Sequence, residues 1–126
     1  MSRADVEKVA EAYMGGSPFP LAEDAVFTLE VSGEVFEGRD AVSQMLSAWY
    51  GEMFEANSER LAVFLGDDAF VVEFRFEGTH IGEFYGIGAT GRSVSFPFVG
   101  VFQVEGPKIV AGKIYLPMER IKSLLS

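Results

Sequence analysis

The 126-residue sequence contains one histidine, His80. An unperturbed imidazole titrates at about pH 6.5, so this is the side chain best suited by type to give or take a proton at neutral pH. It follows Val72, Phe74 and Phe76 at even spacing. In an extended chain these four share a face, which would aim the imidazole into an aromatic cavity. The competing reading is structural, with His80 anchoring the glycine-rich loop that follows it. Tyr115 and Lys113 share a face of a later strand. If that face is the inner one, they would join His80 in polarising a carbonyl or stabilising an enolate. If it is the outer one, Lys113 simply lies in solvent. Tyr13 and Trp49 each combine a large ring with one polar atom, suited to a pocket wall or to ordinary core packing. The candidate catalytic residues are thus His80 and Tyr115. The candidate substrate-binding residues are Tyr13, Trp49, Phe74, Phe76, Phe98 and Lys113.

Other chemistries are excluded by residue type. There is no cysteine, so disulfides, thiolate catalysis and cysteine-ligated zinc are impossible. One histidine cannot build a multi-histidine metal site, and no metal or cofactor is expected. Gly82 to Gly91 is rich in glycine but follows neither the dinucleotide nor the P-loop pattern, and no lysine follows Gly91. Arg92 would bind an anionic group or pair with Glu73 or Glu83. Glu52, Glu55 and Glu59 read as a solvated face, and no spacing sets two carboxylates on an apolar face. The formal net charge is −9, from 10 Lys+Arg against 19 Asp+Glu, and such a surface repels a phosphate backbone, so nucleic acid is not an expected partner. The start, MSRADVEKVAEAY, lacks the apolar run of a signal peptide. No apolar stretch approaches the ~20 residues that span a bilayer. A cytoplasmic protein with no membrane partner is the expectation.

The elements that must position these residues follow from periodicity. Residues 4–14 place Val6, Val9, Ala10 and Tyr13 at helical spacing, with Gly15 and Gly16 as the stop. A proline-containing connection, SPFPLAEDA, leads to a strand with Phe27, Leu29 and Val31 on one face. After Gly33, EVFEG returns as a short partner strand. RDAVSQMLSAWYGEMFEA is the longest helical pattern, with Val42, Met45, Leu46, Trp49 and Met53 in an apolar stripe. Two strands then flank Gly66-Asp67-Asp68, a tight-turn sequence. The glycine loop, a long strand through SVSFPFVGVFQVEG and a strand through PKIVAGKIYLPM follow. ERIKSLLS is a terminal helix or a frayed tail. In the long strand Val94, Phe96, Phe98, Gly100, Phe102 and Val104 share one face, while Val99 and Val101 lie on the other. In the last strand Val110, Ile114, Leu116 and Met118 oppose Ile109, Ala111, Lys113, Tyr115 and Pro117. Helices do not alternate with every strand, so the expectation is a single α+β domain, an antiparallel sheet with helices on one face. Two strands are apolar on both faces. The outer face is therefore expected to meet a second subunit, giving a homodimer.

This order resembles the nuclear transport factor 2-like superfamily, whose curved antiparallel sheet forms a cone packed against helices in a cystatin-like α+β arrangement. The segment GTHIGEFYGIGATGRSVSF is similar to the loop of SnoaL-like polyketide cyclases and ester cyclases, through Gly78, His80, Gly82, Phe84, Gly86, Thr90, Gly91, Arg92 and Val94. Phe36 to Val42 is similar to that family's strand-to-helix junction. The resemblance implies one domain over residues 1–126, with a conical pocket between the sheet and the long helix. It also implies cofactor-free ring closure or isomerisation of a hydrophobic carbonyl compound by acid–base chemistry. The acidic residue that the family uses near the end of its last strand falls at Pro117, which cannot move a proton. Glu119, two residues on, would substitute only if a bulge shifts the register. The alternative implied is a non-catalytic protein that binds a small hydrophobic molecule.

Overall fold

The computed structural model describes residues 3–15, 20–30 and 32–126. Helix α1 spans Arg3–Gly15 and strand β1 Leu21–Leu29. A short β2, Glu34–Glu37, leads into α2, Arg39–Ser47, which continues as a π-helical turn over Ala48–Glu52. Strands β3 (Phe54–Leu65), β4 (Ala69–His80), β5 (Ser93–Glu105) and β6 (Lys108–Tyr115) follow, and α3 (Met118–Leu125) closes the chain. Val31 and residues 16–19, which include part of the expected helix stop and connection, lie outside the described residues.

The six strands form one sheet in the order β2-β1-β6-β5-β4-β3. Four of its pairings are antiparallel, and β1 runs parallel to β6. The sheet is therefore mixed at that junction, because the chain crosses to its far side between β2 and β3 and returns through β6. Alternation fixes which face is buried. Along β4, Phe70, Val72, Phe74, Phe76 and His80 are buried. Opposite the first four on β5, Phe102, Gly100, Phe98 and Phe96 stand in register, and Val94 pairs with Gly78. Facing rings stack across the strands, Phe76 on Phe96 at 4.8 Å and Phe74 on Phe98 at 4.9 Å between centroids. Gly112 lies under a ring: a Cβ there would sit 2.8 Å from Phe27 Cε1.

Two expectations are corrected, and one open alternative is decided. The long helix does not run to residue 56. It ends as a π-helical turn at Glu52, and Phe54 begins β3, fully buried opposite His80. In β6 the register shifts between Gln103 and Val104: Gln103 pairs with Ala111 and Val104 with Ile109, so Val110 has no partner. That bulge reverses the parity, and Ile109, not Val110, joins Ile114 in the core. The terminal segment is a helix whose Met118, Ile121 and Leu125 are buried.

Candidate functional site

Helix α2 presents Met45, Leu46, Trp49 and Tyr50 to the concave sheet at i, i+1, i+4 and i+5, the last two carried by the π-helical turn. Asp40 in its first turn is favoured by the helix dipole. Between this helix, Tyr13 of α1 and the sheet lies a cavity of about 250 Å³. The sheet contributes Leu29, Ser58, Phe74, Phe76, Phe98 and Ile114, and Leu116 follows β6. At the liquid's ~30 Å³ per molecule, that space equals about eight waters. It suits a small molecule, below the ~300–1,000 Å³ of drug-sized sites.

Trp49 is held from several sides. Phe84 meets it edge-on at 5.3 Å, Phe76 at 6.2 Å, and Phe54 stacks on it at 6.1 Å. Phe84 is delivered by the glycine loop. There Tyr85 (φ 45°) and Gly86 (φ 89°) make a two-residue turn, closed by mutual backbone hydrogen bonds between Phe84 and Ile87. The same loop docks on the end of the π-helical turn, where the amides of Ile81 and Gly82 donate to the Met53 carbonyl at 3.0 and 3.1 Å. The loop thus sets the wall that carries Trp49 and Tyr50. Tyr85 adds a hydrogen bond from its hydroxyl to Glu34.

The polar atoms of the lining are few and neutral. Tyr50 Oη and Ser58 Oγ lie 2.5 Å apart. Burial raises the Tyr50 phenol above the ordinary tyrosine range, partly opposed by its hydrogen bond to Ser58. Burial raises the Tyr13 phenol further, with nearby Tyr50 adding to it. Both stay protonated at neutral pH and serve as hydrogen-bonding groups rather than bases. Among the described residues, no three His, Cys, Asp or Glu side chains stand together to hold a metal ion.

The sequence-derived candidates divide. Tyr13, Trp49, Phe74, Phe76 and Phe98 all line the cavity. Lys113 and Tyr115 do not. They pair with Val101 and Val99 on the convex face and are exposed, because inward Gly112 and Ile114 alternate with them. His80 is fully buried but is not part of the lining. Its Nδ1 accepts the Thr90 amide at 3.1 Å and lies 2.9 Å from Thr90 Oγ1. An Nδ1 that accepts an N–H leaves the ring proton on Nε2. That nitrogen is buried and has no hydrogen-bond partner among the described residues. The imidazole packs on Phe54 at 5.4 Å and ties the end of β4 to the glycine loop. Pro117 is the N-cap of α3, and Glu119 in the next turn is exposed, so no register shift carries its carboxylate inward. Arg92 is also exposed.

Sequence reasoning missed Tyr50 and Ser58. The signals were present: Leu46 and Tyr50 are one helical turn apart, and Phe54, Ala56 and Ser58 alternate. A helical reading up to residue 56 hides the second pattern.

A curved sheet with helices across its concave side and a ring-lined hollow between them defines the cone-shaped α+β class. Solved structures agree. A candidate SnoaL-like polyketide cyclase from Jannaschia sp. CCS1 superposes with a TM-score of 0.84 at 17% identity, covering 99% of this chain and 93% of that one. A candidate polyketide cyclase from Xanthomonas campestris pv. campestris gives 0.80 at 21% identity, covering 98% and 95%. A protein with a ketosteroid isomerase-like fold from Catenulispora acidiphila, in complex with trimethylamine, gives 0.67 at 17% identity, covering 92% and 87%. Comparison with curated proteins returns no match. The family model described as a SnoaL-like domain matches residues 20–112. The chain belongs to the SnoaL-like family. No helix among the described residues is long and apolar enough to cross a membrane.

Proposed function

We propose that the protein binds a small, hydrophobic, carbonyl-bearing molecule in the cavity between α2 and the sheet, without converting it. The observation that carries this is the lining: rings and aliphatic side chains, with only neutral polar groups among them. Burying a charged ligand there would leave its charge uncompensated, whereas an apolar ligand gains from leaving water. The cofactor-free cyclase or isomerase reading draws on family membership. It needs a proton acceptor at the reacting carbon. The position where the resemblance places the acid is Pro117, and Glu119 faces solvent. His80 is engaged with Thr90, and Tyr115 lies on the other face.

The test uses the single tryptophan. Trp49 is 5% exposed and lines the cavity, so its emission reports occupancy. Titration with small bicyclic ketones is expected to change that emission saturably at one ligand per chain, with the ketone recovered intact. A recovered ketone that is cyclised or isomerised overturns the non-catalytic reading in favour of the enzyme. No saturable change overturns both.

A homodimer through the convex sheet face belongs to the same proposal. Phe64 is 65% exposed and Tyr115 44%. They flank half-buried Val71, Val99 and Val101 in paired register. Glu73 and Arg75 lie two residues apart on that face, so a two-fold-related copy can pair opposite charges there. Light scattering should give twice the chain mass, and Phe64→Glu should halve it. A wild-type monomer removes this part of the proposal.

A further inference from the structure

Resting on that reading, we infer that the Tyr50–Ser58 hydroxyl pair is the subsite for the ligand's oxygen, and that Ser58, not Tyr50, offers it the donor. Two hydroxyls carry two donor hydrogens. The contact between Tyr50 Oη and Ser58 Oγ uses one of them and leaves one O–H free. A phenol is a far stronger acid than an aliphatic alcohol, so in the pair Tyr50 donates and Ser58 accepts. The free hydrogen therefore sits on Ser58. An oxygen that accepts a hydrogen bond polarises its own O–H into a better donor, and a dry site strengthens the effect.

Both residues line the cavity, one from the π-helical turn and one from β3. Tyr50 is fixed by its ring packing on Phe76 at 5.3 Å. The Ser58 backbone is fixed by pairing with Phe76 across the strands. The subsite is thus held by two elements through the same residue, Phe76. It presents one neutral donor in a wall whose other polar atoms are the Tyr13 hydroxyl and the Trp49 indole nitrogen. That chemistry selects a ligand with a single uncharged acceptor, a ketone or ester carbonyl, on an otherwise apolar skeleton. A carboxylate is rejected because no cation stands in the lining to pair with it.

Calorimetry with 1-tetralone and tetralin tests this, because the two share a ring skeleton and differ in the carbonyl. Ser58→Ala removes the free donor, and Tyr50→Phe removes the group that orients and polarises it. Either variant is expected to weaken 1-tetralone binding roughly fivefold to tenfold, the range of one hydrogen bond, and to leave tetralin unchanged. Ser58→Thr, which retains a hydroxyl, is expected to keep the preference. Equal losses for both ligands in Ser58→Ala, or a loss only in Tyr50→Phe, overturn the assignment to Ser58 while leaving the cavity reading intact. If the wild-type protein binds neither compound, the cavity reading itself falls, and the subsite with it.

Discussion

Replacing Gly82 with alanine asks whether the glycine loop truly sets the cavity wall. A Cβ at Gly82 would lie 2.2 Å from the Glu52 carbonyl oxygen, 3.2 Å from its carbon and 3.6 Å from Met53 Cα. All three are backbone atoms at the end of the π-helical turn, so no side chain can swing aside. The loop must lift. Lifting it strains or breaks the bonds from the Ile81 and Gly82 amides to the Met53 carbonyl. Overpacking costs roughly 1–3 kcal/mol, and each weakened hydrogen bond adds about 1 kcal/mol. A loss of about 3–5 kcal/mol results. Melting entropy of ~2.1 cal/mol/K per residue gives about 0.26 kcal/mol per degree for this chain, so the Tm should fall by roughly 12–19 °C. Gly88→Ala is the control, since nothing lies within 4 Å of its Cβ position. It should be neutral or slightly stabilising, because alanine restricts the unfolded chain. Calorimetric melting of both variants, with Trp49 emission read alongside, checks the argument. Gly82→Ala should also shift that emission, because the turn beneath it carries Trp49. A Gly82→Ala protein that melts with Gly88→Ala and keeps the native emission would refute the docking of loop on turn as the device that shapes the wall.

Three further outcomes follow from the same geometry. His80→Ala should cost roughly 1–3 kcal/mol of stability by releasing Thr90 and leaving a void at Phe54, with cavity affinity less affected than stability; an unchanged Tm with ligand handling abolished would contradict its anchoring role. Lys113→Ala and Tyr115→Phe should leave ligand affinity unchanged in Trp49 titrations, because both side chains lie on the convex face; a loss in either would mean the ligand sits elsewhere. Tyr13 and Tyr50 titrate higher folded than unfolded, so above the ordinary tyrosine value of about 10 the unfolded chain releases protons first. Stability should therefore be flat in this respect below pH 10 and fall as pH rises past it, and denaturant melts of Tyr13→Phe should show a shallower fall.

Much of the site was legible because strand alternation is a strong signal. Counting in twos puts Phe74 and Phe76 on one strand face and Phe98 on the matching face of the next, and helical spacing puts Tyr13 and Trp49 on the apolar stripes that meet them. What failed were the irregularities, which periodicity carries no information about. One unpaired residue, Val110, reverses the parity of β6. The π-helical turn at Ala48 and the immediate start of β3 at Phe54 took Tyr50 and Ser58 out of view. His80 shows a different limit. Its face was assigned correctly, yet sequence alone did not decide between a proton shuttle and an anchor. That choice lies in Thr90, ten residues away, whose amide reaches Nδ1 only once the loop has turned back. The parallel β1–β6 pairing likewise depends on contacts between chain ends that no local pattern records.

A crystal structure of the protein grown with 1-tetralone would show where the ketone sits. One ketone per chain is expected inside the hollow, its ring against Trp49 and Phe76 and its oxygen within hydrogen-bonding distance of Ser58 Oγ. An empty hollow at saturating ketone, or a ketone seated only on the convex sheet face, would contradict this placement.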